Sequence, residues 1–291
     1  MSFIRRNLAG WLVMLPGLVL LVFFVWLPLL SNVSLSFYQL QGYTKQSFVG
    51  LDNYAQVLRD PQFQRAFLNT GLYVFWSIVV GFPVPIALAL LLSEVIHLRT
   101  FFRTSLYLPN VVPGLAAALL WKFLYDPDPG GMLNGLLGAV GLPPQPWLSS
   151  PTWVIPLIVV ALTWKAAGAT TLIYLATIQS IDATYYEAAR MDGTNVWQRV
   201  RYITLPSLAP TVRMLLVLQI ISVFQVLYEP LVMTGGGPNN ASLSLLQLIY
   251  RYVFVRGDVA SGAALGVIVA VALLVLTACY WWATKRAGHH G

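Results

Sequence analysis

The chain has 291 residues, of which 58% are hydrophobic and only 9% charged, with a formal net charge of +7 and a mean hydropathy of +0.72. A soluble domain carries about 25% charged residues, so a water-exposed surface cannot be assembled here and lipid must solvate most of the chain. The basic excess would suggest nucleic acid in a soluble protein. Here the basic residues lie between apolar runs, where they set topology instead, and no nucleic-acid partner is expected.

A bilayer core needs about 20 mostly apolar residues per helix, and six stretches qualify. The first, 11–30, follows Arg5 and Arg6. Its apolar run exceeds the roughly 7–15 residues of a signal peptide and no A-x-A site follows, so an uncleaved span is expected. The second covers 71–92 and the third 105–124. The segment 126–151, rich in Gly and Pro, reads as turns with a short helix at 132–140. The fourth span covers 153–178 and the fifth 211–233, followed by the loop signal TGGGPNN at 234–240. The sixth covers 260–282 and is followed by Lys285 and Arg286. No internal repeat and no second soluble domain is visible, so residues 1–291 read as a single transmembrane domain.

Tryptophans cluster near span ends (Trp11, Trp26, Trp121, Trp153, Trp281 and Trp282), as in an interfacial belt. Prolines at 16, 28, 83, 85, 109, 113 and 156 fall inside or beside spans, where neighbouring helices re-satisfy the freed backbone groups. The single cysteine, Cys279, excludes an internal disulfide and a cysteine-based metal cluster, and reads as a small buried hydrophobe. His289 and His290, alone at the end of the sequence, make a poor metal site.

Orientation follows from the Lys/Arg distribution. With the N-terminus inside, the inner segments hold Arg5, Arg6, Arg99, Arg103, Arg190, Arg199, Arg201, Arg213, Lys285 and Arg286. The outer segments hold Lys45, Arg59, Arg65, Lys122, Arg251 and Arg256. The excess inside places both termini in the cytoplasm.

The inner loop between spans four and five is unlike the rest. It reads IDATYYEAARMDGTNVWQRVRYITLPSLAP over 181–210, polar enough for water yet helically patterned. Thr184 and Glu187 have the spacing of a capping box, and the first helix is expected to run to Met191 or Asp192. Gly193 stands where a left-handed residue ends a helix. Thr194 or Asn195 then caps a second helix with Val196, Val200 and Ile203 on one face, and Leu205-Pro206 bends the chain into span five. Two short helices around a glycine turn result.

Glu187-Ala188-Ala189, Gly193, Ile203 and Leu205-Pro206 together carry the signature-loop pattern of the inner-membrane permeases of binding-protein-dependent ATP-binding-cassette importers, which this chain resembles at every fixed position. Looser likenesses in 16–28, 106–134, 147–151 and 234–238 resemble the carbohydrate-type branch, similar to the maltose and glycerol-3-phosphate permeases. The resemblance implies an all-α integral membrane protein of six transmembrane helices with a cytoplasmic helix-turn-helix coupling loop at 182–206. It also implies docking of that loop on a separate ATPase. Ala188 and Ala189 would permit close approach, Gly193 a sharp turn, and Glu187 a basic partner, although Glu187 also fits a plain helix cap. Implied partners are a second related permease, two ATPase copies, an extracytoplasmic solute-binding protein and the bilayer of a prokaryotic inner or plasma membrane. The chain has no GxxxxGK[ST] cradle for phosphates, so ATP-Mg would be used by the partner, and no cofactor or enzymatic activity is expected in this chain.

Charges inside spans are costly and often functional. Lys165 lies mid-span beside Trp164 and near Thr163, Thr170 and Thr171, which suits a hydroxylated or anionic solute; a snorkelling or helix-pairing Lys is the alternative. Gln225, Tyr228 and Glu229 near the outer end of span five, with Gln219 deeper, are further candidates for a substrate pathway, Glu229 also fitting a plain interfacial site. An ion-coupled secondary transporter is the rival reading. The spans hold almost no carboxylate to relay protons, but hydroxyls and carbonyls can bind sodium. No HExxH motif, paired intramembrane Asp or Ser/His arrangement supports a membrane enzyme.

Overall fold

The structure is a computed structural model that describes residues 8–94 and 98–287. Arg5, Arg6, His289 and His290 therefore lie outside the described residues. The elements in chain order are α1 (Gly10–Leu35), a hairpin of β1 (Tyr38–Gln41) and β2 (Thr44–Phe48), α2 (Asp52–Arg59), α3 (Pro61–Glu94), α4 (Arg99–Val111), α5 (Gly114–Leu124), α6 (Met132–Ala139), α7 (Val154–Gln179), α8 (Ala183–Met191), α9 (Val196–Phe224), α10 (Leu245–Val255) and α11 (Val259–Ala287). The chain forms two compact units. One runs up to Phe63 and includes Leu248–Val275; the other holds Gln64–Gln247 and the chain from Leu276.

Among the described residues, five helices are long and apolar enough to cross a bilayer: α1, α3, α7, α9 and α11. The third expected span is not one straight helix. It is the pair α4 and α5, bent by 97° at the break, and counts as a sixth span only if the pair is taken together. The cause lies in Pro113: it has no N–H to continue the ladder and biases Val112 to extended backbone, which is found at ψ 128. The fifth expected span also differs, since α9 stops at Phe224 rather than 233. Outside the helices, β1 and β2 pair antiparallel with Tyr38 opposite Phe48, joined through Gly42 at φ +60. This hairpin, absent from the all-helical expectation, follows from the alternation in Tyr38–Gln41 and a glycine at the turn.

The prolines do not simply kink the long helices. In α1, α3 and α9, wide π-turns at Val22–Trp26, Ser77–Gly81 and Val200–Thr204 each end two residues before a proline, namely Pro28, Pro83 and Pro206. In each the ladder steps to a donor five residues on, as where the Phe82 amide donates to the Ser77 carbonyl at 2.8 Å. A proline removes one donor and collides with the carbonyl four residues back. Widening the turn moves that carbonyl aside and keeps the helix continuous.

In the larger unit α7 is the central helix, with α3, α4, α5 and α9 packed on it. One apolar cluster gathers Tyr73, Tyr125, Ile155, Ile158, Val223 and Met233. A second gathers Ala89, Leu92, Tyr174, Leu175, Ile178 and Leu208. At Gly168 the two helices α7 and α4 cross so closely that a Cβ would meet the Leu106 carbonyl. In the smaller unit Asp60 accepts hydrogen bonds from Tyr252 Oη at 2.6 Å and Arg256 at 2.9 Å, and the Arg256 guanidinium lies 4.7 Å from the Tyr252 ring centroid.

Surfaces depart from the sequence reading in two places. Cys279, expected to be buried, is exposed, because little of this chain packs on that part of α11. Trp11, Trp26, Trp153, Trp281 and Trp282 are about half exposed, whereas Trp121 packs on Tyr125 and Trp164.

Candidate functional site

The loop between α7 and α9 is built by local capping. The Asp182 carboxylate, on extended backbone, accepts the Thr184 amide at 2.9 Å and starts α8. That bond holds the Asp182 carboxyl below its ordinary value. The expected Thr184–Glu187 capping box is therefore not the one used; Asp182 takes the cap and leaves Glu187 exposed on the first turns. α8 ends at Met191, and Gly193 adopts φ +75. The Gly193 amide donates to Arg190 and the Thr194 amide to Ala189, the paired bonds of a Schellman stop.

Asn195 then opens α9 with a capping box: its side chain accepts the Gln198 amide at 2.8 Å, and Gln198 accepts the Asn195 amide at 2.8 Å. Leu205-Pro206 does not bend the chain away from a short second helix. The π-turn at Val200–Thr204, which includes Ile203, carries the helix straight through to Phe224. Tyr186 Oη and Thr204 Oγ1, 2.9 Å apart, tie α8 to α9.

Glu187 and Ala188 are exposed, and Ala189 and Ile203 are half-buried. Around them Tyr185, Met191, Trp197 and Tyr202 are 63%, 89%, 66% and 70% exposed. Large apolar side chains uncovered in a polar segment mark an interaction surface.

A separate cavity of about 440 Å³ lies within the larger unit. α3 contributes Ser77 and Gly81, α7 contributes Thr163, Lys165 and Thr170, and α9 contributes Gln219 and Ser222. Space at Gly81 is tight, since a Cβ there would stand 3.0 Å from Thr163 Oγ1 and 3.1 Å from Gln219 Nε2. Beyond Phe224 the backbone leaves the helix, so Gln225, Tyr228 and Glu229 also turn into this cavity. Lys165, Gln225, Tyr228 and Glu229 thus share one wall-to-wall site, with Glu229 8% exposed. Trp164 is not among the lining residues; its ring meets Trp121 edge-on at 5.8 Å, on the other side of α7. Sequence reasoning missed Asn110 and Ser77, which also line the cavity. The signal was available as isolated polar residues within apolar runs.

The segment after Glu229 is pinned by a polar stripe on α3 that sequence reasoning also missed. Asn69 Nδ2 donates to the carbonyls of Asn240 and Leu243 at 2.7 and 3.0 Å, Tyr73 Oη to that of Ser242 at 3.0 Å, and Thr70 Oγ1 accepts the Leu245 amide. Residues 70, 73, 77 and 81 follow helical spacing, so one face of α3 holds this segment and lines the cavity.

Comparison with known proteins adds to this geometry. Residues 62–288 match the family described as "Binding-protein-dependent transport system inner membrane component". The chain is 33% identical to the probable ABC transporter permease protein YurN of Bacillus subtilis, covering 94% of each chain. It is 34% identical to the lactose transport system permease protein LacF of Rhizobium radiobacter, covering 84% of this chain and 83% of that one. Among solved structures, a chain of a bacterial ABC transporter involved in the import of the acidic polysaccharide alginate superposes with a TM-score of 0.86 at 29% identity, covering 98% of both chains. The same kind of transporter has been solved in complex with an alginate pentasaccharide-bound periplasmic protein.

Proposed function

Because the chain belongs to the family of binding-protein-dependent transport system inner membrane components, we propose that it forms half of the translocation pathway of an ATP-driven importer for a sugar or sugar-like solute. The observation that carries this reading is a mechanical one. The loop 182–206 joins α7 and α9, and those same two helices supply Lys165, Thr163, Gln219 and Ser222 to the cavity. A push on the loop therefore reaches the cavity through two continuous helices and no flexible joint. Such a rigid connection converts a displacement at one end into a rearrangement at the other.

The exposed Tyr185, Met191, Trp197 and Tyr202 around Glu187, Ala188 and Ala189 form the surface on which a cytoplasmic ATPase docks. Gly193 sets the turn between the two docking helices. ATP-Mg belongs to that partner, of which two copies serve two related permeases, and an extracytoplasmic binding protein delivers the solute. The loop, and with it both termini, faces the cytoplasm. Within the cavity, Lys165 and the Gln225 amide donate to solute oxygens, Glu229 accepts from hydroxyls, and the half-exposed Tyr228 offers an apolar ring face.

Affinity purification of the chain from its native membranes in mild detergent, with mass spectrometry of its partners, tests the reading. A P-loop ATPase and a second permease are expected in the intact complex. Recovery of this chain alone, or of copies of itself only, would remove the ATP-driven reading.

A further inference from the structure

The cavity between α3, α7 and α9 holds two charged residues, Lys165 and Glu229, of opposite sign. They are not within the 4.0 Å of an ion pair such as that of Arg256 and Asp60. Each charge is therefore available to a solute, and together they sum to zero.

The neutral groups of the walls are biased in a definite direction. Ser77 Oγ donates to the Val74 carbonyl at 3.0 Å, Thr163 to Val159 at 2.7 Å, Thr170 to Ala166 at 3.3 Å and Ser222 to Gln219 at 3.1 Å. Each of these hydroxyls spends its proton on its own helix and keeps lone pairs for the cavity. Gln219 Nε2 is bound to the Ser77 carbonyl at 2.8 Å. Its second N–H stays free, so the free donors are those of Gln219, Lys165, Asn110, Gln225 and Tyr228, and acceptor groups still outnumber them.

A sugar hydroxyl both gives and takes a hydrogen bond, and can satisfy such a wall. A carboxylate, sulfate or phosphate only accepts. It would find one cation, offset by a buried carboxylate, a few amide and phenol donors, and a larger set of oxygens whose protons are already committed. An acceptor or like charge left unmatched in such a site is costly.

We infer that this chain's cavity selects an uncharged polyhydroxylated solute over an acidic one of the same size and stereochemistry. The inference rests on the reading of the cavity as a solute site. It is independent of the fold, since a close structural neighbour serves an importer of an acidic polysaccharide.

The test uses the intact transporter with its partners, reconstituted in nanodiscs without the binding protein, so that only the membrane cavity is probed. Saturation-transfer NMR would measure matched pairs that differ by a carboxylate at C6: glucose and glucuronate, galactose and galacturonate, mannose and mannuronate. At least one neutral sugar should bind, with its acid weaker by about tenfold or more. Glu229→Gln, which removes the carboxylate charge and keeps the shape, should narrow the neutral-to-acid affinity ratio by about tenfold, whatever it does to the neutral sugar's own affinity. An acid that binds as well as its neutral partner, or a gap that Glu229→Gln leaves unchanged, would overturn the inference. Binding of no probe by a complex that still contains its ATPase would remove the cavity as a solute site, and the inference with it. Partner identification would then still stand as the separate test of the importer reading.

Discussion

The crossing of α7 over α4 at Gly168 gives the sharpest structural test. An alanine Cβ at 168 would lie 2.5 Å from the carbonyl carbon of Leu106, 3.0 Å from the Tyr107 nitrogen, and closer still to the Leu106 oxygen. Ordinary carbon contacts sit near 3.5–4.0 Å, so the two backbones must part by roughly 1 Å or more. The obstacle is main chain, which no rotamer change can move aside. Overpacking of this kind costs about 1–3 kcal/mol, and a backbone obstacle belongs at the top of that range. Alanine recovers about 1 kcal/mol as the better helix former, leaving a net loss of about 2 kcal/mol. For a chain of this size that is a fall in Tm of about 4–8 °C, read by thermal unfolding of the purified protein in detergent. Gly71→Ala is the internal control: it lies in α3 with nothing within 4 Å of its Cβ, and should gain about 0.4–1 kcal/mol. If Gly168→Ala melts with the wild type, the helices do not cross this closely and the packing argument fails.

Other perturbations bear on separate parts of the account. Asn134 is 2% exposed, and its Oδ1 accepts the Gln145 amide at 2.9 Å and Trp147 Nε1 at 2.7 Å. Asn134→Ala strands both donors at about 1–3 kcal/mol each, and should turn the segment 126–151 into a preferred site of limited proteolysis. In the smaller unit, burial pushes the Asp60 carboxyl up, but hydrogen bonds from Tyr252, Arg256 and the Gln62 amide outweigh it and hold the group below its ordinary value. A carboxyl lowered in this way contributes stability above its unfolded value near 3.9 and loses it as pH falls through the folded value. The Asp60 contribution should therefore be lost as the pH falls below about 4. Because the pair is partly exposed, it amounts to less than about 1 kcal/mol. Melting curves of wild type and Asp60→Asn should diverge at neutral pH and converge in acid.

How far the sequence carried depended on the range of the signal. Apolar length placed the helices, because a bilayer imposes one length scale on every span. The spacing of Glu187, Gly193 and Pro206 located the loop, and Gly193 was legible as a left-handed stop because no other residue type fits there as easily. What was not legible depends on competition between neighbouring residues or on long-range packing. Asp182 displaced Thr184 as the cap because both fit and only one can start the helix. Pro206 read as a bend, yet a wide turn absorbed it. Pro113 read as one more membrane proline, yet it folds α4 and α5 back by 97°. Lys165 and Glu229 could each be picked out as unusual in their spans, but their convergence needed α9 to end at Phe224. Trp164 adjoins Lys165 in sequence, but one helical step of about 100° points it away, and it packs on Trp121.

On the proposed function, the exposed face around Ala188 transmits the work of a separate ATPase. Its most direct measurement compares Ala188→Trp with Ala188→Ser in the complete transporter. Position 188 is exposed, so neither change should disturb the fold. The ATPase retained on purification and the ATP-dependent solute uptake of proteoliposomes would be read together. Ala188→Ser should behave as wild type, and Ala188→Trp should lose the ATPase and uptake while its melting temperature is unchanged. Full ATPase retention and full uptake with tryptophan at this position would contradict it.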